Sequence, residues 1–218
     1  MNLRRGSDYV GAWRFALPKL PADATHEARW RPACELLVTA TAELMRLELL
    51  LPPFTIVLRH DPRPAGTHAQ RVGVDPTSLA SELRALLETT AFALGSVDVT
   101  GSGVVYSEDQ SRTIGDVCGL RCNVAGFGTS LTVWTLSDVW LPANLNAKPQ
   151  PAVAARNAPR LEAALQTIEA LSGRRGTTED TRFAVVDGYR LRNHVAEGDV
   201  LDLADLGYDD SLIVDPWP

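Results

Sequence analysis

Apolar positions along the chain fall into blocks of two different periods. Tyr9 to Leu17, YVGAWRFAL, is short and aromatic, and the turn residues PKLPAD bound it, which predicts a first strand. From Pro32 to Leu51 the period changes: Ala33, Leu37, Ala40, Leu44, Leu47 and Leu51 recur at helical spacing, Pro32 suits a first turn, and the two prolines after Leu51 are a stop. Phe54 to Arg59, FTIVLR, is a β-rich run, followed by HDPRPAGTHAQRVGV, which reads as a loop. A second helix opens with Asp75 as N-cap and Pro76 in its first turn, buries Leu79, Leu83, Leu86 and Leu87, and ends by Gly95.

The centre, Val97 to Leu141, is rich in β-branched residues, threonine and glycine. It predicts antiparallel strands at about Val97–Tyr106, Leu120–Ala125 and Ser130–Leu136, with a hairpin turn at Gly126 to Gly128. A third helix is expected from Asn157 as N-cap, with Leu161, Leu165, Ile168 and Leu171 on its buried face and Gly173 closing it. Thr181–Val186 and Leu212–Val214 are short β-like runs among Gly- and Asp-rich turns. Strands flank every helix without βαβ regularity, so the expected class is α+β, a mainly antiparallel sheet with about three helices packed on it. No repeat or Gly/Ser linker divides the chain, and 1–218 is read as one domain with an acidic C-terminal segment from about residue 176.

The stretch SDVWLPANLNAKPQPAVAARNAPRL, Ser137 to Leu161, joins the last central strand to the third helix. Pro142, Pro149 and Pro151 make a stiff, extended connection, which explains most of it as a scaffold joint. Within it, Trp140 is either a plug over the core edge or an anchor for a partner.

Charge changes the picture at the C-terminal end. Of a formal net charge of −6, the segment from Gly176 to Pro218 carries ten acids against three arginines. Such a surface repels nucleic-acid phosphates and steers a basic protein partner toward it. The candidate contacts for that partner are Asp199, Asp202, Asp205, Asp209 and Asp210, with Trp140 and Trp217 as aromatic anchors.

Catalytic patterns are weak by comparison. GSGVVYS at Gly101 has neither the third glycine nor the following helix of a dinucleotide loop, so its glycines are read as strand and turn positions. His60, Asp61 and His68 share one loop and offer nitrogen and oxygen ligands, but three arginines there repel a cation and the spacing fits no metal motif, so a solvated loop is the expectation. There is no Gly-x-Ser-x-Gly elbow, and Cys34 falls in an apolar helix. Cys118 and Cys122 have the wrong spacing for a redox or zinc pair, and the three cysteines are expected as buried thiols. The expectation is no catalytic set, no cofactor and no metal. The two arginines near the N-terminus have no apolar run behind them, and the apolar run Leu47–Phe54 is too short to span a bilayer, so a cytoplasmic location is expected.

The segment SDVWLPANLNAKPQPAVAARNAPRLEAALQTIEAL, followed by GYRLRNHVAEGDVLDL, resembles the C-terminal half of uncharacterised actinobacterial proteins that are similar to immunity proteins of polymorphic toxin systems. The likeness covers about Thr132 to Leu203 and includes no motif with a chemical role, so it carries over no site residue. It implies a non-catalytic protein that neutralises a toxin domain by binding it. The alternatives are a structural or secretion-associated scaffold and, third, a small-molecule or metal-dependent enzyme using the His60, Asp61, His68 loop.

Overall fold

The computed structural model describes residues 2–3, 8–21, 23–60, 68–90, 95–107, 109–125, 128–209, 211 and 213–214. Its main layer is a six-stranded antiparallel sheet built from β2 (Gly11–Ala16), β3 (Leu51–His60), β4 (His68–Val74), β5 (Gly95–Tyr106), β6 (Ser111–Ala125) and β7 (Gly128–Thr135), in the order β2-β7-β6-β5-β3-β4. Three helices, α1 (His26–Arg46), α2 (Leu79–Thr90) and α3 (Pro151–Ser172), complete the α+β architecture. Two-stranded pairs join β1 (Asn2–Leu3) to β12 (Ile213–Val214), β8 (Val185–Asp187) to β9 (Arg190–Arg192), and β10 (Val195–Ala196) to β11 (Asp199–Val200).

Cross-strand register sorts the sheet into two faces. Trp13 and Phe15 of β2, Leu131 and Val133 of β7, Leu120 and Cys122 of β6, Val97 and Val99 of β5, and Ile56 and Leu58 of β3 lie in register on one face, all buried. α1 packs against β6 and β7 and shares one hydrophobic core with that face. On the other face, Asp98 is buried between Arg121, whose Nε and Nη2 donate at 2.5 and 3.0 Å, and Arg59 at 3.3 Å. Beside them Trp134 lies against Gly119, where any Cβ would collide with the indole, and Tyr9 stacks on Trp134 at 5.3 Å.

Several element boundaries depart from the sequence expectation. α1 begins at His26 because the Thr25 hydroxyl accepts from the Ala28 N–H, which places Pro32 inside the helix and not in its first turn. His68–Val74, read as loop, is strand β4 paired along β3. Asp75 is not the N-cap of α2: it holds the N–H groups of Thr77 and Ser78 in a turn that includes Pro76, and the helix begins after it, at Leu79. Gly173 closes α3 in the left-handed conformation, φ 66°, as expected. Leu171, expected in the buried stripe, is 45% exposed. Ala125 pairs with Gly128, which agrees with the predicted hairpin, whose tip at 126–127 lies outside the described residues.

The most consequential correction concerns Asn157. Pro151 takes the first turn of α3, so Asn157 is not an N-cap but a fully buried residue inside the helix. β5 extends beyond its neighbour: β3 pairs with it only as far as Leu51 opposite Ser102. The backbone of Val104 and Tyr106 on that side would stay unpaired without other partners. Val104 N–H donates to Glu48 O, and Val104 O accepts from Arg160 Nη1 at 2.9 Å. Tyr106 N–H donates to Asn157 Oδ1 at 3.1 Å, while Asn157 Nδ2 donates to Tyr106 O at 2.7 Å. One carboxamide thus stands in for a missing strand residue.

Arg160 also donates from Nε to Leu47 O at the end of α1, and its guanidinium lies 4.7 Å from the centre of the Tyr106 ring. The crossing is close enough that a Cβ at Gly103 would sit 2.6 Å from Leu49 O, and one at Gly101 would collide with Leu51 O. These glycines, considered above as a phosphate loop, serve close backbone approach. Replacing Asn157 with Ala should strand both Tyr106 groups and lower unfolding free energy in urea by about 2–4 kcal/mol; a loss below about 1 kcal/mol would show that water or a rearrangement replaces the carboxamide.

Candidate functional site

The acidic C-terminal segment folds as a lobe, residues 177–209, against the β2 edge, α3 and the 137–150 joint. Along the edge, Thr177 pairs with Arg14 through two backbone hydrogen bonds of 2.8 Å. The hydroxyls of Thr178 and Thr181 donate to Ala12 O and Val10 O. A strand edge that would otherwise template aggregation is thereby closed. Trp13 Nε1 reaches the turn of the β8–β9 hairpin at Gly188 O, 2.9 Å. Phe183, Leu191 and Leu203 bury the underside of the lobe, and Phe183 packs on Tyr208.

The joint is held by its own polar side chains. Asp138 accepts from Leu145 N–H, Gln150 Nε2 donates to Asp138 O and Leu141 O, and Asn144 Oδ1 accepts from the N–H groups of Asn146 and Lys148. Asn193 of the lobe exchanges two hydrogen bonds with the Ala143 backbone, and Leu203 N–H donates to Leu145 O. Burial pushes the Asp138 carboxyl above its ordinary range, against the opposing effect of the Leu145 N–H. These polar side chains fasten the joint to itself and to the lobe.

Trp140 leaves the set of partner contacts. It is 2% exposed, and its indole N–H donates to Thr135 Oγ1 at 2.8 Å, a hydroxyl that itself donates to Val117 O. An indole with its one donor satisfied inside the fold is a core plug. Asp210 and Trp217 lie outside the described residues, as do Asp61 and the side chains of His60 and His68. Among the described residues no group of three or more His, Cys, Asp or Glu side chains is placed to hold a metal ion.

Asp199, Asp205 and Asp209 are exposed, and Asp202 is half-buried. Asp202 and Asp205 accept each other's backbone N–H at 3.0 and 3.1 Å, fixing the turn between them. Asp209 Oδ1 accepts from Ser211 N–H, and hydrogen bonding from Ser211 holds its carboxyl below the ordinary range. The sequence reading missed the β10–β11 hairpin. Glu197 at φ 53° and Gly198 at φ 98° form its two-residue turn, both with the positive φ that a type I′ turn requires. The pattern VAEGDV carried that signal in its Gly and flanking valines. The hairpin presents Val195, 60% exposed, beside Glu197 and Asp199.

The lobe's charge balance decides what it can do. All three of its arginines are engaged: Arg182 with Asp8, Arg190 with Glu162, and Arg192 with Asp187. Among the described residues, Glu179, Asp180, Glu197, Asp199, Asp202, Asp205 and Asp209 make no ion pair. The result is a hydrogen-bonded surface with unpaired negative charge and one apolar point.

The chain matches no protein-family model, no curated protein and no solved structure. No helix among the described residues is long and apolar enough to cross a membrane.

The thiols have distinct accessibility. Cys118 and Cys122 are buried on β6, and burial pushes Cys118 up to about 12 and Cys122 further still. Cys34 is half-buried on α1, and burial, aided by Glu35, pushes it up to about 11. Only the thiolate reacts, so native alkylation of Cys34 should rise about tenfold per pH unit from about pH 7 to about pH 10, with Cys118 and Cys122 unmodified until the protein unfolds. A plateau in Cys34 reactivity below about pH 9 would contradict this environment.

Proposed function

We propose that this chain is a non-catalytic binding protein that holds a basic protein partner on its C-terminal lobe, in the manner of an immunity protein occluding a toxin domain. The observation that carries the reading is the arginine balance: each cation of the lobe is consumed by a carboxylate, so the exposed acids are left over for something outside the chain. Their placement supports it further. The acids stand on short turns braced by hydrogen bonds, and a surface already ordered loses little conformational entropy on binding. Val195 beside Glu197 and Asp199 supplies an apolar contact within a charged rim. The resemblance of about Thr132 to Leu203 to immunity-type proteins favours a toxin domain as partner, and binding in the cytoplasm accompanies that reading.

The test is capture from host lysate with stepped salt elution, comparing the native chain with one in which Glu197→Gln, Asp199→Asn, Asp205→Asn and Asp209→Asn are combined. The amide oxygens keep the turn hydrogen bonds while the charge is removed. The native chain should retain one basic protein in stoichiometric amount, and purified partner should associate about tenfold faster with it than with the neutralised chain at low salt. Equal association rates and equal salt dependence for the two chains would remove the lobe from the interface.

A further inference from the structure

A second surface lies between α1 and α2, away from every residue used above for partner binding. Trp30, Cys34 and Val38 recur at i, i+4 and i+8 along one face of α1 and, with Leu87 of α2, floor an open groove of about 920 Å³. Trp30 and Leu87 are buried at its base, whereas Cys34 and Val38 remain half-buried, so α2 does not close over the apolar stripe of α1. From Glu27 to Thr39 the groove follows α1 for about 18 Å at the helical rise, three turns of a facing helix.

Its rims are charged. Glu27, Arg31 and Glu35 line the α1 side, and Arg84 and Glu88 the α2 side. Arg31 donates a hydrogen bond to Glu27, so Glu35 is the surplus charge of the α1 rim. An apolar floor bordered by an excess of carboxylate selects apolar side chains flanked by cations. We propose that this groove docks a basic amphipathic helix from a protein partner. Apolar side chains at i, i+3 or i+4, and i+7 fill the space over Cys34, Val38 and Leu87, and a lysine or arginine beside them meets Glu35. The site shares no residue with the C-terminal lobe, so its test stands apart from the test of the lobe.

Cys34 in the floor is a built-in reporter. Two synthetic peptides of about 14 residues, long enough to span the groove, would carry the same leucine face, one flanked by lysines and the other by glutamates. Each would be titrated against the full chain while iodoacetamide modification of Cys34 is followed by mass spectrometry. The lysine peptide should slow modification saturably, by about tenfold at low salt and less at high salt, with the glutamate peptide without effect. Combining Glu35→Lys and Glu88→Lys, both at exposed positions, should transfer protection to the glutamate peptide. Protection by neither peptide, or equal protection by both, would overturn the proposal, the second outcome marking a merely apolar cleft. Cys34 protection that grows with protein concentration alone would assign the groove to a second copy of the chain and overturn it equally.

Discussion

A sheet in which β5 runs past its neighbour β3 has to find partners for the backbone left over, and α3 supplies most of them. The polar groups of Val104 and Tyr106 that face away from β6 are matched by Glu48 O, Arg160 and both ends of the Asn157 carboxamide. Buried amide groups without partners cost more than the net gain of an ordinary hydrogen bond, so the register of α3 on the sheet is set by this joint. Arg160 ties the same point to the end of α1 at Leu47. Taking the guanidinium out of water lowers its affinity for a proton, and the acceptors around it keep the charge tolerable.

From that joint the position of the lobe follows. Glu162 and Glu169, further along α3, take Arg190 and the Tyr189 hydroxyl of the β8–β9 hairpin. At the other end of the helix, the 137–150 joint holds Asn193 and Leu203. Threonine hydroxyls along β2 fix the segment between. The acids of the lobe are therefore displayed on a surface anchored at three places, and its cations are spent within the fold. The proposed binding role rests on that combination of anchoring and unpaired charge.

What was legible in the sequence, and what was not, has a physical pattern. Periodicity found three helices and the central strands, because leucine spacing and β-branched runs are local properties. The left-handed glycine at 173 was also local. Asn157 was misplaced because an asparagine before Ala-Pro has the look of a cap, while its true partner, Tyr106, is 51 residues away. Trp140 was ambiguous for the same reason: only the fold brings the Thr135 hydroxyl to its indole N–H. β4 was hidden by Gly73, at φ 78°, and by polar residues suited to an edge strand. The acidity of the last segment was plain from composition, but the pairing of its arginines with Asp8, Glu162 and Asp187 was not.

A fixed acidic binding surface requires the lobe to be a rigid extension of the sheet. Amide hydrogen exchange of the free protein, resolved by residue, tests this directly through Tyr106, Thr177 and Leu203, whose N–H groups go to Asn157, Arg14 and Leu145. All three should exchange with the same opening free energy as the central sheet amide of Val99, through global unfolding. Rapid exchange at Thr177 and Leu203 with Val99 still protected would mean that the lobe opens on its own, and that its acids form no fixed binding surface.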